Sequence, residues 1–330
     1  MNMRLQSVLE YDPFPALLGK EKALDYHIDK DFIHDSGAEP HTLWELPEAA
    51  RLSRKQLADG SWKYSGKSID PQYGTNYFLL ETFRNIRVLI EVYAFNHENE
   101  TLIKACQFLL SCQSQAGDIR GILGSQYMPY YFGVMLELLI KAGYANDERI
   151  VRGLEWLISM RQEDGGWIVP AQAVPSRERL PQFWTGKPVE PERRAMPHAH
   201  LATGMALRGL AFHPDYCLRP ETLRAARALK SRFFKADKFN DRKAKAYWLK
   251  FQFPFWWSNL LTALDTLGQL GFKRDDPEIE KGLNWFIENQ EQDGLWPTGY
   301  GSGQGEKIAA ARRWTGLAIC RMLKKYFSND

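Results

Sequence analysis

The stretch KGLNWFIENQEQDGLW, residues 281–296, decides how the rest of the chain is read, because earlier segments repeat its grammar in order. Asp293-Gly294-x-Trp296 aligns with Asp164-Gly165-Gly166-Trp167 and with Asp59-Gly60-Ser61-Trp62, and a worn copy stands at Ala116-Gly117-Asp118-Ile119. Ahead of these marks runs a helix-like segment of constant pattern: Lys104-Ala105 with Phe108-Leu109, Arg152-Gly153 with Trp156-Leu157, Lys281-Gly282 with Trp285-Phe286. The interval from Trp167 to Trp296 has room for two repeats, and the missing copy is placed in the degenerate stretch 223–241. A period of roughly 50 residues belongs to arrays of helical pairs, which bury a continuous core only by stacking.

Apolar residues at helical spacing place outer helices near 46–57, 100–113, 148–162, 220–236 and 277–290. Inner helices fall near 74–95, 126–142, 198–212, 253–270 and 306–326. Asn146-Asp147 and Asp275-Asp276-Pro277 have the chemistry of helix starts, Gly143 and Gly271 that of helix ends. Five or six hairpins suffice to close a ring of inner helices inside a ring of outer ones. The expected fold is all-α, an α/α toroid forming one domain over 45–330, preceded by an N-terminal segment, 1–44, with one helix. Residues 168–197 carry six prolines around Phe183-Trp184. A loop of that length is usually functional or disordered, and it reads as a lid over one mouth of the toroid, with a solvated insertion as the alternative.

At 330 residues, 44% hydrophobic and 13% aromatic, the chain can bury a large core. A net charge of +3 provides no global field for nucleic acid. The basic run 230–250 reads as a solvated outer face, the alternatives being anionic ligands or a membrane surface. Cys106, Cys112, Cys217 and Cys320 follow no disulfide framework and read as free thiols in a reducing, cytoplasmic setting. No window approaches about 18 unbroken apolar residues, so no spanning helix is expected. Peripheral contact of one lip with a membrane stays open, as does the oligomeric state.

The segment before each tryptophan resembles the QW repeat of the terpene cyclase and protein prenyltransferase superfamily: Lys/Arg, Gly/Ala, an aromatic, Leu, Gln, then Gly-x-Trp. Lys281, Gly282, Trp285, Gln290, Gly294 and Trp296 match it almost completely; the copy at 152–167 has Arg161 where Gln is expected and Gln162 one step on, and the copy at 104–119 keeps Gln113 but loses the tryptophan. The resemblance implies the toroid and an extended apolar substrate. The chemical motifs of the superfamily are not spelled out. An Asp-x-Asp-Asp acid is missing, Asp29-Lys30-Asp31 coming nearest but outside the repeats, and Asp215-Tyr216-Cys217 beside His213 imitates a zinc site while crowding three ligand types onto one short loop. No cofactor is expected, save a divalent metal if the substrate is a diphosphate.

A second repeat opens the inner helices. Gln72-Tyr73 with Tyr77-Phe78 returns as Gln126-Tyr127 with Tyr130-Tyr131-Phe132, and in shorter form as Gln252-Phe253 with Trp256-Trp257; His198-Ala199-His200 stands at the corresponding place in another repeat. These side chains are expected to converge on one mouth as an aromatic collar holding two imidazoles, suited to burying a prenyl chain, stacking on sugars or stabilising a cation. Large residues filling the ring are the plainer explanation. Asp118 and Arg120 enter the same mouth as an acid and an anion clamp, or as an ion pair. Glu137, Asp265 and Arg208 fall in one deeper layer and are expected to pair.

The leading expectation is an isoprenoid-handling protein, cyclase-like or prenyltransferase-like. Asp118, His198 and His200 are its candidate acids or bases; Arg120, Tyr73, Tyr77, Tyr127, Tyr130, Tyr131, Phe253, Trp256 and Trp257 are its candidate substrate contacts. A carbohydrate lyase or hydrolase and a non-catalytic scaffold on the same fold are the alternatives, since fold does not decide function.

Overall fold

The computed structural model describes residues 7–33, 39–66, 74–122, 124, 126–169, 194–237, 242–255, 257–300 and 305–328. In chain order its helices are α1 (Phe14–Leu17), α2 (Lys22–Ile28), α3 (His41–Trp44), α4 (Pro47–Arg54), α5 (Tyr77–Glu91), α6 (Glu100–Ser111), α7 (Pro129–Leu139), α8 (Glu148–Ser159), α9 (His200–Ala211), α10 (Pro220–Lys230), α11 (Leu260–Gln269), α12 (Pro277–Glu288) and α13 (Glu306–Phe327). Among the described residues there is no strand, only isolated bridges joining Gln56 to Trp62 and Gln113 to Ile119 inside two of the repeats. The fold is all-α. Inner helices α5, α7, α9, α11 and α13 pack in sequence order, and α6, α8, α10 and α12 lie outside them.

Four outer helices bury one stripe at identical spacing. It reads Leu102, Ala105, Cys106, Leu109 in α6 and Ile150, Gly153, Leu154, Leu157 in α8. It continues as Thr222, Ala225, Ala226, Leu229 in α10 and Ile279, Gly282, Leu283, Phe286 in α12. The second position is Ala or Gly because the inner helix lies directly against it. A Cβ on Gly153 would sit 2.7 Å from the Phe132 ring, and one on Gly282 3.1 Å from Leu264. By the same register Arg224-Ala225 is the start of the missing repeat, which has no aromatic to announce it.

The three turns marked by tryptophan share one bond. Trp62, Trp167 and Trp296 donate from Nε1 to Leu52, Leu157 and Phe286 carbonyls at 2.8, 2.8 and 2.6 Å, closing helix ends that have no partner of their own. Gln56, Gln113 and Gln290 each donate to the turn glycine's carbonyl, at Gly60, Gly117 and Gly294. From the same nitrogen they reach the next unit: Thr101 at the start of α6, Arg149 at the start of α8 and, for the last repeat, Tyr11. Gln290 also accepts from the Tyr11 amide at 3.0 Å. The N-terminal segment therefore takes the place of the next outer helix and closes the ring. It carries three short helices rather than the expected one, with Pro13 and Pro40 as N-caps of α1 and α3. α1 and α2 pack on α13, and His27 Nε2 lies 3.0 Å from the Val92 carbonyl at the end of α5.

Two of the inner helices have no solvent side. Every residue of α7 and of α9 is buried. Their backbones approach so closely that a Cβ on Gly133 would lie 2.4 Å from the Ala206 Cα. Asp147 and Asp276 cap α8 and α12 as expected, and Gly143 and Gly271 turn at φ +96° and +79°. The inner helix expected from 253 begins instead at Leu260, where Asn259 and Thr262 form a reciprocal capping box. Pro254, which has no amide hydrogen to give a helix, lies in the non-helical run before it.

The four cysteines are free thiols. No helix among the described residues is long and apolar enough to cross a membrane. Of the lid expected at 168–197, residues 170–193 lie outside the described residues.

Candidate functional site

The run before α11 enters the middle of the ring. The Phe255 carbonyl accepts from Arg87 of α5 at 2.7 Å, and the Phe255 ring lies 4.9 Å from the guanidinium of Arg208 on α9. Phe253 stacks on Trp314 of α13 at 5.4 Å with ring planes 2° apart, and Trp257 meets Tyr131 of α7 at 5.9 Å. Four inner helices thus grip this segment, which closes the ring on the side of the inner-helix N-termini.

Below it remains a cavity of about 460 Å³. Phe212, Phe253, Phe255 and Ala318 form its apolar part. Its rim is charged and lies toward the C-terminal ends of α5, α7 and α13: Glu91 and Lys141 on one side, Asp265 and Lys325 on another, Asp31, Arg321 and Lys324 on a third. Lys141 bonds Glu91 at 2.6 Å, Lys325 bonds Asp265 at 2.7 Å and Arg321 bonds Asp31 at 2.5 Å. Glu137 lies behind the rim, fully buried, receiving both Arg208 and Lys141. Burial alone would raise its pKa, but the two cations outweigh burial and hold it at about 2. Glu137 and Arg208 pair as the register predicted; Asp265 pairs with Lys325 instead.

Each rim carboxylate is bonded to a cation, so its oxygens are already engaged in ion pairs. The aromatic faces are also engaged, Phe212 by Lys141 at 4.5 Å and Phe255 by Arg208. Such a cavity suits an apolar chain with a polar end better than a carbocation. Among the described residues no group of three or more His, Cys, Asp or Glu is arranged to hold a metal ion. His213, beside the Asp215 to Cys217 loop, lies 3.1 Å from the Ala145 carbonyl and accepts from the Asp215 amide.

Of the candidate acids, bases and substrate contacts named from sequence, Tyr73 and Trp256 lie outside the described residues, and Phe253 alone lines the cavity. Tyr130, Tyr131 and Trp257 form one aromatic group. Tyr127 packs on Trp156 at 6.2 Å with Arg120 over its ring, and Tyr77 packs on Tyr64 at 4.9 Å. Asp118 is fully buried, accepting from Ser114 Oγ and from Arg120 at 2.8 Å. His198 and His200 stand at the start of α9, a helix of about 18 Å whose other end leads to Phe212 and the cavity. Asp164 accepts from the His198 amide and lies 2.8 Å from its Nδ1, while His198 Nε2 is buried without a partner. The bond to His198 lowers the Asp164 pKa against the upward push of burial. Asp237 accepts from the His200 amide at 2.7 Å, and His200 stacks on Trp248 at 4.5 Å.

The rim was foreseen only at Asp265: Arg321, Lys324 and Lys325 were not singled out, and Asp31 lies outside the repeats. A usable signal was there: Arg321, Lys324, Lys325 and Ser328 fall on one side of the last two turns of α13, whose other positions there are apolar or aromatic.

No family model matches the chain, and no curated protein matches it. Among solved structures, a protein from Actinoplanes is 15% identical with a TM-score of 0.47, covering 95% of this chain and 99% of that one. The type II terpene cyclase MstE from Scytonema, without ligand, is 14% identical with a TM-score of 0.29, covering 84% and 95%. A variant of that cyclase in complex with geranylgeranyl dihydroxybenzoate is 13% identical with a TM-score of 0.30, covering 84% and 94%. These are likenesses of coarse helical architecture.

Proposed function

We propose that the chain binds an isoprenoid, or an extended apolar chain of similar build, in the centre of its helical ring. The observation that carries this reading is the cavity of about 460 Å³, whose aromatic wall meets a charged rim at one open end. Its volume is within the range of small-molecule sites, and an apolar wall with a few polar groups is the usual make-up of such sites. Binding without cyclisation is favoured, because the cavity's carboxylates are paired and its aromatic faces already hold cations. A ligand of this kind partitions into membranes, so the protein is expected to collect it at a membrane surface. The sugar and scaffold readings have no comparable observation behind them.

The test is a titration with farnesol, followed by tryptophan fluorescence, of the wild type and of Ala318→Phe, which fills the cavity from α13. Saturable binding that weakens at least tenfold in the variant, with the melting temperature within a few degrees, is the expected result. Equal binding by both proteins, or none by the wild type, sinks the reading.

His198 favours a second, catalytic reading at the other end of α9. A carboxylate at Nδ1 fixes the tautomer that leaves Nε2 a lone pair, the arrangement of an oriented base. Asp164→Asn should reverse that tautomer while the protein stays folded, as read by ¹⁵N NMR of the imidazole. Finding Nε2 protonated in the wild type removes His198 as a base.

A further inference from the structure

Among the described residues, the charges that line the central cavity do not cancel. Glu91 and Glu137 hold Lys141, Asp265 holds Lys325 and Asp31 holds Arg321. Behind the rim Glu137 also holds Arg208, and the Arg87 guanidinium donates to the Phe255 carbonyl. Lys324 differs from its neighbours. Its ammonium donates to the Asp31 backbone carbonyl and lies 5.3 Å from the Phe32 ring, and among the described residues it has no carboxylate partner. The lining therefore has four cations, Lys141, Arg321, Lys324 and Lys325, against three anions, Asp31, Glu91 and Asp265.

Cations in the last turns of a helix complement its dipole, which accounts for basic residues near the end of α13. It does not account for one of them standing at a cavity mouth without a carboxylate partner among the described residues while three neighbours have theirs. Removing positive charge from water beside an apolar wall is costly unless an anion meets it. Lys324 and Lys325 are adjacent, and Arg321 lies one turn before them on the same face of α13. One carboxylate oxygen could meet Lys324 and its mate a neighbouring cation, without displacing any of the three ion pairs. A diphosphate brings more charge than the one spare cation offsets and would face Asp31 and Asp265 at close range. An alcohol leaves Lys324 uncompensated.

We infer that the cavity takes a long-chain monocarboxylate, an isoprenoid or comparable lipid acid, with its apolar tail against Phe212, Phe253 and Phe255 and its carboxylate at Lys324. This rests on the proposal that the cavity holds an apolar chain, and adds the identity of the polar end.

The experiment compares farnesoic acid, farnesol and farnesyl diphosphate as ligands of the wild type and of Lys324→Gln, by calorimetric titration at neutral pH. Farnesoic acid should bind the wild type at least tenfold more tightly than farnesol or the diphosphate. In Lys324→Gln that preference should vanish, with farnesol affinity unchanged and the melting temperature preserved. Farnesol binding as tightly as the acid, the diphosphate binding tightest, or a preference that survives in Lys324→Gln overturns the inference while leaving the apolar cavity in place. Failure of all three ligands to bind overturns the cavity reading and the inference together.

Discussion

Gly60 and Gly271 separate two reasons for a glycine. Both adopt positive φ, +88° and +79°, where a side chain costs about 1–2 kcal/mol. Around Gly271 nothing lies within 4 Å of an added Cβ, whereas at Gly60 that atom would stand 2.3 Å from the Lys104 carbonyl in α6. Gly271→Ala should therefore cost only the backbone strain, and Gly60→Ala should cost more by about 2 kcal/mol; equal urea midpoints for the two variants would show that the turn does not abut the next helix. Two buried groups give the stability a pH dependence. Burial and the nearby Arg321 charge lower the His27 pKa from 6.5 to about 3. Below pH 6.5 the unfolded chain takes a proton that the folded chain refuses until about pH 3. Stability is thus complete above 6.5 and falls as the pH falls, by at most about 1.4 kcal/mol per unit. Glu137, depressed from 4.5 to about 2, acts in the same direction over the lower window. His27→Gln, which keeps a donor for the Val92 carbonyl, should flatten denaturation midpoints between pH 6.5 and 4.5. Glu137→Leu should cost about 3–5 kcal/mol by leaving Arg208 buried without its partner, and adding Arg208→Leu should restore much of that.

At the scale of elements, the repeat was legible where its chemistry is periodic. The outer stripes, the aspartate caps and the Gln, Gly and Trp of the turns are side-chain signals; the indole bond recurs in all three tryptophan copies, whereas in the Trp167 copy Gln162 reaches the Met196 carbonyl and not the turn glycine. Three features were not legible. The α10 repeat has Ala228 in the aromatic position, so only its Ala and Leu stripe survives. The run 253–259 has an aromatic pattern that also fits a helix, and the capping box at Asn259 decides otherwise. The ring closure works through the backbone amide and carbonyl of Tyr11, groups that every residue has, so no pattern in residues 1–44 announces it. That closure predicts an asymmetry. Gln113→Ala and Gln290→Ala should each cost about 1–2 kcal/mol, but Gln290→Ala alone should speed amide hydrogen exchange across α1 and α2. Unchanged exchange there would mean that the N-terminal segment is held by its packing on α13 and not by the glutamine.

Considered as a whole molecule, the chain encloses its cavity with parts that are far apart in sequence: Asp31 from the N-terminal segment, Phe253 and Phe255 from the run before α11, Phe212 from the end of α9 and Ala318 from α13. The sequence pointed to an aromatic collar at the N-terminal ends of the inner helices, and of its expected members Phe253 lines the cavity. The most direct measurement is photolabelling with a diazirine analogue of farnesol, followed by peptide mapping of the label. The account predicts label on the segments carrying Phe212, Phe253, Phe255 or Ala318, displaced by excess farnesol and lost in Ala318→Phe. Label confined to the outer helices or to the His198 end of α9, or label that farnesol does not displace, would contradict a ligand site at the centre of the ring.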